Sequence, residues 1–171
     1  MNEGYPFSGT GNLVNFVKGL ISIGVQNNVI VVFDNDAEGL ASYNKCIEMN
    51  IPDNMRIIKL PDLAQFEEFD TMGPNGTHKG NINGKAAAIE CYLDLGIDPV
   101  VRWSNFNFTQ QTYHGALIAK DDYKRTFLNQ RERDPDYNYS KVAEVLTLIV
   151  NTAIGIKEKP FLVNLEKEET L

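Results

Sequence analysis

The chain has 171 residues, 43% of them hydrophobic, a formal net charge of -7 and a sequence pI near 4.8. This length and composition predict one ordinary globular core with room for a small extension. The acidic balance argues against a general polyanion-binding surface, because lysine and arginine supply most of the contacts to nucleic acid; any such role must be local, metal-bridged or helped by another subunit or domain. No apolar run reaches the roughly 18 to 20 residues that cross a bilayer, and no signal-peptide pattern opens the chain, so we expect a cytoplasmic protein without membrane contact.

The first sixty residues carry the clearest pattern of secondary structure. Apolar residues recur at helical spacing over Leu13–Ile21, and Gly24 suits the end of that helix. The mostly β-branched run Val29–Phe33 predicts a strand buried on both faces of a parallel sheet. A second helix is expected over Ala37–Met49 and a second strand over Met55–Leu60. The order helix, strand, helix, strand predicts an α/β fold with right-handed crossovers.

The remainder of the chain is interpreted from turn formers and apolar spacing. Asp62–Gly84 contains acidic residues and turn formers and is predicted to be a surface excursion. Its acidic cluster, Glu67, Glu68 and Asp70, is interpreted as solvated charge, with an added metal ligand as the alternative. Downstream we expect a short helix over Lys85–Leu95 and a short strand over Val100–Trp103. Two further helices are predicted, one over about Tyr113–Arg131 and one over Ser140–Ala153 with Ser140 as its cap. The acidic tail over 161–171 is predicted to be flexible.

Cys46 and Cys91 stand far apart in the chain, without a CxxC pair or a histidine at metal-site spacing. This arrangement gives little support to zinc or redox chemistry. We expect both cysteines to be buried structural thiols.

Two aspartates follow the first predicted strand. Asp34 and Asp36 stand where the chain leaves a parallel sheet, which is where open α/β folds place their ligands. Carboxylates separated by one residue can project toward the same point, and such oxygen ligands suit Mg²⁺ or Mn²⁺. Gly39 would let the following backbone approach closely. The ordinary alternative is a turn in which Asp36 only caps the next helix.

The segment Val29–Gly39, with the sequence VIVVFDNDAEG, resembles the DxD motif of the Toprim superfamily, which includes topoisomerases, primases and OLD-family nucleases. The helix after Gly9-Thr10-Gly11-Asn12 also matches the glycine-opened helix that these domains place before that strand. A narrower resemblance, over roughly residues 9 to 150, is to the C-terminal part of HEPN/Toprim-type proteins. It is carried by FDNDAEG, Gly73-Pro74, Asn83-Gly84-Lys85 with Ala88-Ile89-Glu90, Arg102-Trp103 and the run from Gly115 to Lys120.

The resemblance implies a partial Toprim-like, Rossmann-like parallel sheet flanked by helices, with a C-terminal helical extension. It divides the chain into a Toprim-like domain over 1–104 lacking its first strand, a helical extension over 105–160, and the tail. It also implies a metal-dependent nuclease that acts on DNA or RNA and belongs to a prokaryotic antiphage defence system.

The same resemblance assigns roles to four residues. Asp34 and Asp36 would hold Mg²⁺ or Mn²⁺ for phosphodiester hydrolysis. Glu90 resembles the later acidic residue that OLD-type nucleases use at a second metal, and Lys120 could stabilise a phosphate or the leaving group. The ordinary alternatives are a solvated helical glutamate and an exposed lysine.

The chain departs from the Toprim pattern at one position. Toprim domains carry a glutamate at the end of a first strand, upstream of the helix that begins near Asn12, and Glu3 is a poor substitute for it. The expected explanations are a fragment of a longer protein, a glutamate supplied by an upstream domain or partner chain, or a degenerate site. A sheet edge left open by the missing strand would favour a homodimer.

Three functions follow from these patterns. The nuclease is the leading hypothesis, a non-catalytic metal-binding or oligomerisation domain is the second, and a phosphatase or phosphotransfer domain is the third. Trp103, Phe106 and Phe108 could stack on bases, although the interpretation we favour is that they fasten the helical extension to the sheet.

Overall fold

The computed structural model describes residues 10–96, 98–108, 111–129 and 136–168, with side chains as far as Ile156 in the last helix. It is a mixed α/β structure with parallel and antiparallel strand pairs. The helices are α1 (Thr10–Ser22), α2 (Ala37–Ile47), α3 (Lys120–Leu128) and α4 (Ser140–Glu168). The strands are β1 (Val29–Phe33), β2 (Asn35–Asp36), β3 (Met55–Lys59), β4 (Phe69–Gly73), β5 (Gly76–Gly80), β6 (Ala86–Ala87), β7 (Val101–Asn107) and β8 (Thr112–Leu117).

The helix–strand–helix–strand prediction for the first sixty residues is confirmed. β1 and β3 pair in parallel, from Val29 opposite Met55 to Phe33 opposite Lys59. α1 and α2 pack beside this pair around a core that includes Val17, Phe33, Cys46 and Met55, all at most 1% exposed. The run Val29–Phe33 forms a strand because β-branched side chains pack well on a pleated surface. Asp34 therefore lies directly after the end of β1.

The parallel sheet is smaller than predicted. It contains only β1 and β3, while a separate four-stranded sheet has the order β5-β4-β7-β8. β4 and β7 are parallel there, and the other neighbours are antiparallel. The predicted parallel sheet flanked by helices therefore does not account for β4 to β8, whereas α3 and α4 agree with the predicted C-terminal helical extension.

The predicted surface excursion over Asp62–Gly84 also needs correction, because β4 and β5 form a hairpin within it. Gly73 and Gly76 pair at its end, and Gly76 has a φ of +97°, which glycine adopts without strain. Phe69 and Thr71 are buried and alternate with more exposed residues, the period of a strand with one face on the core. Turn formers at the tip obscured this alternation in the sequence.

The predicted helix over Lys85–Leu95 is replaced by β6 and a short 3-10 turn, Ile89–Tyr92. Six residues of this stretch are fully buried or nearly so: Ala86, Ala87, Cys91, Tyr92, Leu93 and Leu95. They would not share one face of a helix. The irregular backbone buries them all in the larger core cluster.

The predicted helix over Tyr113–Arg131 is correct only in its second part. Tyr113 lies in β8, and α3 begins at Lys120, after Ala119 turns the chain with a φ of +59°. β8 pairs with β7, which runs across the boundary predicted after residue 104. A Cβ on Gly115 would lie 2.7 Å from atoms of Trp103 and Ala86, so this strand position needs glycine for close packing.

The helix predicted from Ser140 is confirmed, but Ser140 is its first residue and not its cap. The Ser140 N–H donates to the side-chain oxygen of Asn138 at 3.0 Å. α4 continues past residue 161, where a flexible tail was expected, and ends at Glu168; residues 169–171 lie outside the described part. Glutamate, lysine and leucine in this stretch are good helix formers. No helix within the described ranges is long and apolar enough to cross a membrane.

Candidate functional site at the aspartate turn

The aspartate turn, Asp34–Asp36, joins three elements. β1 ends at Phe33, β2 pairs antiparallel with β6, and α2 begins at Ala37. The turn thus lies at the carboxyl end of a strand in a parallel pair, as the sequence predicts. The short β2–β6 pairing fixes the turn against the segment that leads to Glu90.

Gly39 has the close approach expected of it. A Cβ at this position would lie 2.1 Å from the backbone oxygen of Asp34, so only glycine lets the first turn of α2 pass the strand exit at this distance. The constraint is steric and concerns the backbone, which cannot move aside as a flexible side chain could.

Asp34 is half-buried, and its Oδ1 accepts a hydrogen bond from the Ile89 N–H at 3.0 Å. Burial raises the pKa of Asp34 to about 6, and the negative charges of Asp36 and Glu90 act in the same direction. The Ile89 N–H and the ammonium of Lys120 oppose that rise. Asp34 is therefore a carboxyl group in an environment with too little positive charge to offset its burial.

Asp36 caps α2, which is the ordinary role considered from the sequence. Its Oδ1 accepts from the Gly39 N–H at 2.7 Å, and its extended backbone is typical of a helix N-cap. Within the described residues no donor contacts Oδ2. Capping therefore occupies one oxygen and leaves the other available to a ligand.

Glu90 and Lys120 are the other two residues singled out by the sequence. Glu90 follows Ile89 in the 3-10 turn and is half-buried, while Lys120 is exposed at the start of α3. Both lie close enough to Asp34 for their charges to act on its carboxyl group. The tertiary structure thus gathers the four predicted residues from distant parts of the chain into one neighbourhood.

The acidic groups are near one another but are not arranged as a complete cage. In the described ranges, no three histidine, cysteine, aspartate or glutamate side chains already stand in a metal-holding group. The donor chemistry still suits Mg²⁺, which is commonly bound through one or two carboxylates together with waters and substrate phosphates. Asp34 and Asp36 supply two such carboxylates. Glu3 lies outside the described residues.

Sequence analysis missed Asn35, the residue between the two aspartates. It is fully buried, and its Nδ2 donates to Asp62 Oδ1 at 2.9 Å. Its Oδ1 accepts from the Gly84 N–H at 3.0 Å and from Lys59 Nζ at 3.2 Å. A buried amide must be hydrogen-bonded, so this network fixes the orientation of the turn. The sequence signal was a polar residue placed two positions after a buried strand.

Tyr92 and Asn83 extend the same network. Tyr92 is fully buried, its hydroxyl donates to the Pro61 carbonyl at 2.6 Å, and burial raises the pKa of that hydroxyl. The Asn83 side chain bonds both the N–H and the carbonyl of Leu63, at 3.1 and 3.0 Å. The Asn83–Lys85 segment is thereby held beside the aspartate turn.

Other residues considered from the sequence lie apart from this site. Cys46 and Cys91 are fully buried free thiols, as expected. Glu67 and Glu68 are exposed, and Asp70 forms an ion pair with Lys79 at 2.7 Å. Asp70 is therefore engaged on the hairpin and is not directed to the aspartate turn.

Comparison with known proteins found no matching family model, curated protein or solved structure. The site itself therefore carries the functional inference.

Proposed function

We propose that this protein is a divalent-metal-dependent nuclease of the Toprim type. The observation that carries the proposal is the pair of Asp34 and Asp36 at the exit of β1, with Glu90 near enough for its charge to act on Asp34. The Ile89 N–H to Asp34 bond at 3.0 Å places the neighbouring Glu90 beside the turn. Acidic oxygens at the carboxyl end of a parallel strand are suited to a hard cation and a phosphate.

The chain's own residues have distinct roles in this proposal. Asp34 and Asp36 would hold Mg²⁺ or Mn²⁺ through the oxygens not used by Ile89 and Gly39, and Glu90 would contribute to a second metal. A bound divalent cation would supply Lewis-acid stabilisation of charge on a phosphodiester. Lys120, whose charge acts on Asp34, would contact a phosphate or the leaving oxygen of DNA or RNA.

A further carboxylate belongs to the proposal. The Toprim resemblance calls for a glutamate upstream of α1, which an upstream domain or a partner chain would supply. We also propose a role in prokaryotic defence, on the basis of the Toprim-type resemblance. A cytoplasmic location is proposed on the basis of the sequence.

The second candidate is a non-catalytic metal-binding or oligomerisation domain. Two observations favour it over a nuclease: the net charge of -7, which opposes nucleic-acid binding, and the lack, among the described residues, of the fuller ligand set that a two-metal catalytic site needs. On this hypothesis, Asp36 serves chiefly as a helix cap and the aspartate turn binds a cation without cleaving a phosphodiester.

Charge-removing isosteres separate these candidates. Asp34→Asn and Asp36→Asn keep acceptors for the Ile89 and Gly39 N–H groups, so the fold should persist while the negative charge is lost. Asp53→Asn, at an exposed turn residue away from the site, is the matched control. Cleavage of supercoiled plasmid and of single-stranded RNA is measured with Mg²⁺ or Mn²⁺, and Mn²⁺ binding is measured by calorimetry.

The nuclease proposal predicts metal-dependent cutting that falls by at least about a hundredfold in both site variants and is unchanged in the control. Binding of Mn²⁺ by the native chain without any cutting would favour the second candidate. Cutting that survives in both site variants would place the chemistry elsewhere and reject the aspartate turn as its centre.

A further inference from the structure

A groove of about 600 Å³ crosses the four-stranded sheet between the β4–β5 hairpin and the β7–β8 hairpin. We call it the hairpin groove. Its lining includes Trp103, Phe106, Tyr113, His78, Lys79 and Lys85. None of these six supplies a side chain to the acidic site described above.

The aromatic side of the hairpin groove is a cluster with exposed rings. Phe106 makes edge-to-face contacts with Tyr113 at 4.9 Å and with Phe108 at 5.2 Å between ring centroids. Tyr113 is 48% exposed and Phe108 is 80% exposed. The expected packing role holds for Trp103, which contacts the larger core, but not for Phe108. Exposed aromatic rings are suited to stacking against a planar ligand.

The charge of the groove differs from that of the chain. The protein has 23 acidic residues against 16 lysines and arginines. Among the described residues, the groove lining has two lysines and a histidine and contains no aspartate or glutamate. Lys79 pairs with Asp70 beyond the lining, and the Lys85 side chain is exposed. The described lining is thus less acidic than the chain as a whole, and Lys85 is its exposed cation outside the Lys79–Asp70 pair.

The groove is also continuous with the aspartate turn. Lys85 forms a β-bridge with Asp36, and its carbonyl accepts from the Ala37 N–H at 3.2 Å. The same residue therefore belongs to the groove lining and to the backbone pairing of the site. A chain lying in the groove would be led to the two aspartates.

We propose that the hairpin groove binds a single-stranded segment of DNA or RNA and guides it to the aspartate turn. Unpaired bases would stack on Trp103, Phe106 and Tyr113, and phosphates would contact Lys79 and Lys85. A duplex hides the faces of its bases inside the stack, so it would lose the aromatic contribution. This inference rests on the proposed nuclease function, for which it names the form of the substrate.

Trp103 is the only tryptophan of the chain, so its fluorescence reports directly on the groove. The full chain is titrated with an oligothymidylate of about twelve nucleotides, at low salt and without divalent cations. The expected result is saturable quenching. A mixed-sequence duplex of the same length should bind at least about fivefold more weakly, since stacking on one base is worth that much.

Three variants test the contacts. Phe106→Leu keeps an apolar side chain but removes the ring, so it should weaken binding at least about fivefold. Phe106→Tyr keeps a ring and should bind the oligonucleotide as tightly as the native chain does. Lys85→Ala should weaken binding and reduce the slope of log K against log salt by about 0.7. Lys18→Ala, an exposed lysine on α1, is the matched control and should bind as the native chain does.

The outcomes separate this inference from the nuclease itself. Absence of saturable quenching by either oligothymidylate or oligouridylate overturns the groove, as does equal binding by Phe106→Leu, Phe106→Tyr and Lys18→Ala. Quenching that depends on Phe106 without any metal-dependent cutting supports the groove and favours the non-catalytic candidate over the nuclease. Cutting that is equal in the native chain and in Phe106→Leu supports the nuclease and rejects the groove.

Discussion

A methyl group on Gly39 would lie 2.1 Å from the carbonyl oxygen of Asp34, well inside the contact distance of any real Cβ. The first turn of α2 therefore passes the exit of β1 only because residue 39 has no side chain. Since Asp36 Oδ1 also accepts a hydrogen bond from the Gly39 N–H, steric fit and capping act at the same residue.

Gly39→Ala should consequently lower the free energy of unfolding by about 3 kcal/mol, the upper part of the range for overpacking. Gly19→Ala is the matched control, because Gly19 lies in α1 and a methyl group added there would have no neighbouring atom within 4 Å. It should raise stability by about 0.5 to 1 kcal/mol, since alanine loses less backbone entropy in a helix. Urea denaturation followed by circular dichroism measures both, and equal stability of the two variants would contradict the steric argument.

Removing the charge of Asp34 should stabilise the metal-free protein near neutral pH. Its folded pKa of about 6 lies above its ordinary value of 3.8, so the stability it contributes is complete below pH 3.8 and is lost as the pH rises through 6. Asp34→Asn does not ionise and avoids this loss. The gain is roughly 3 kcal/mol at most, because part of the carboxyl is exposed to solvent.

Thermal melts from pH 4 to pH 8 in the presence of a chelator measure this effect. The native chain should lose stability relative to Asp34→Asn across the interval from about pH 4 to pH 6, and Asp53→Asn should follow the native chain. Added Mg²⁺ should then narrow the gap at pH 8, because a ligand of the folded state stabilises it. A constant difference between native chain and Asp34→Asn at every pH would rule out the ionisation as its cause.

Asn35 should matter for stability as much as any apolar core residue. Asn35→Ala removes the partner of Asp62, Gly84 and Lys59 in a fully buried setting, and leaves some of those groups unsatisfied. We expect a loss of about 3 kcal/mol, from several unmade hydrogen bonds. Asn28→Ala, at an exposed position before β1, should change stability by less than about 0.5 kcal/mol. Chemical denaturation of both variants is the measurement, and similar midpoints would refute the network's role.

Both thiols should be inert in the folded protein. Cys46 and Cys91 are fully buried, and burial raises the pKa of Cys91 to about 12. A disulfide reagent at pH 8 should therefore label them no faster than the chain unfolds, whereas the chain in guanidinium should react rapidly at both. Rapid labelling of one thiol in the native protein would show that its site is open.

The raised thiol pKa also has a consequence at alkaline pH. The ordinary value is 9.0, so the stability that Cys91 contributes is present below pH 9 and is lost as the pH rises toward 12. The unfolded chain ionises first in that interval. Cys91→Ala, although less stable overall, should show a weaker decline in melting temperature between pH 9 and pH 11 than the native chain.

The amino-acid sequence by itself determined the first layer of this protein. α1, β1, α2 and β3 lie where the spacing of apolar residues placed them, because helical periodicity, a β-branched run and a capping aspartate are local properties. Asp34 and Asp36 were found for the same reason, since their position depends only on the end of β1.

The tertiary structure alone decided the second sheet and the surroundings of the aspartates. β4 pairs with β7 through Thr71 and Val101, and β7 with β8 through Trp103 and Gly115, and nothing in a local pattern specifies such partners. The hairpin groove depends on these pairings, and the place of Glu90 depends on the β2–β6 pair and on the Ile89–Asp34 hydrogen bond. Strand pairing joins residues that are distant in sequence, and its free energy comes from burial and hydrogen bonds that exist only once the chain has folded.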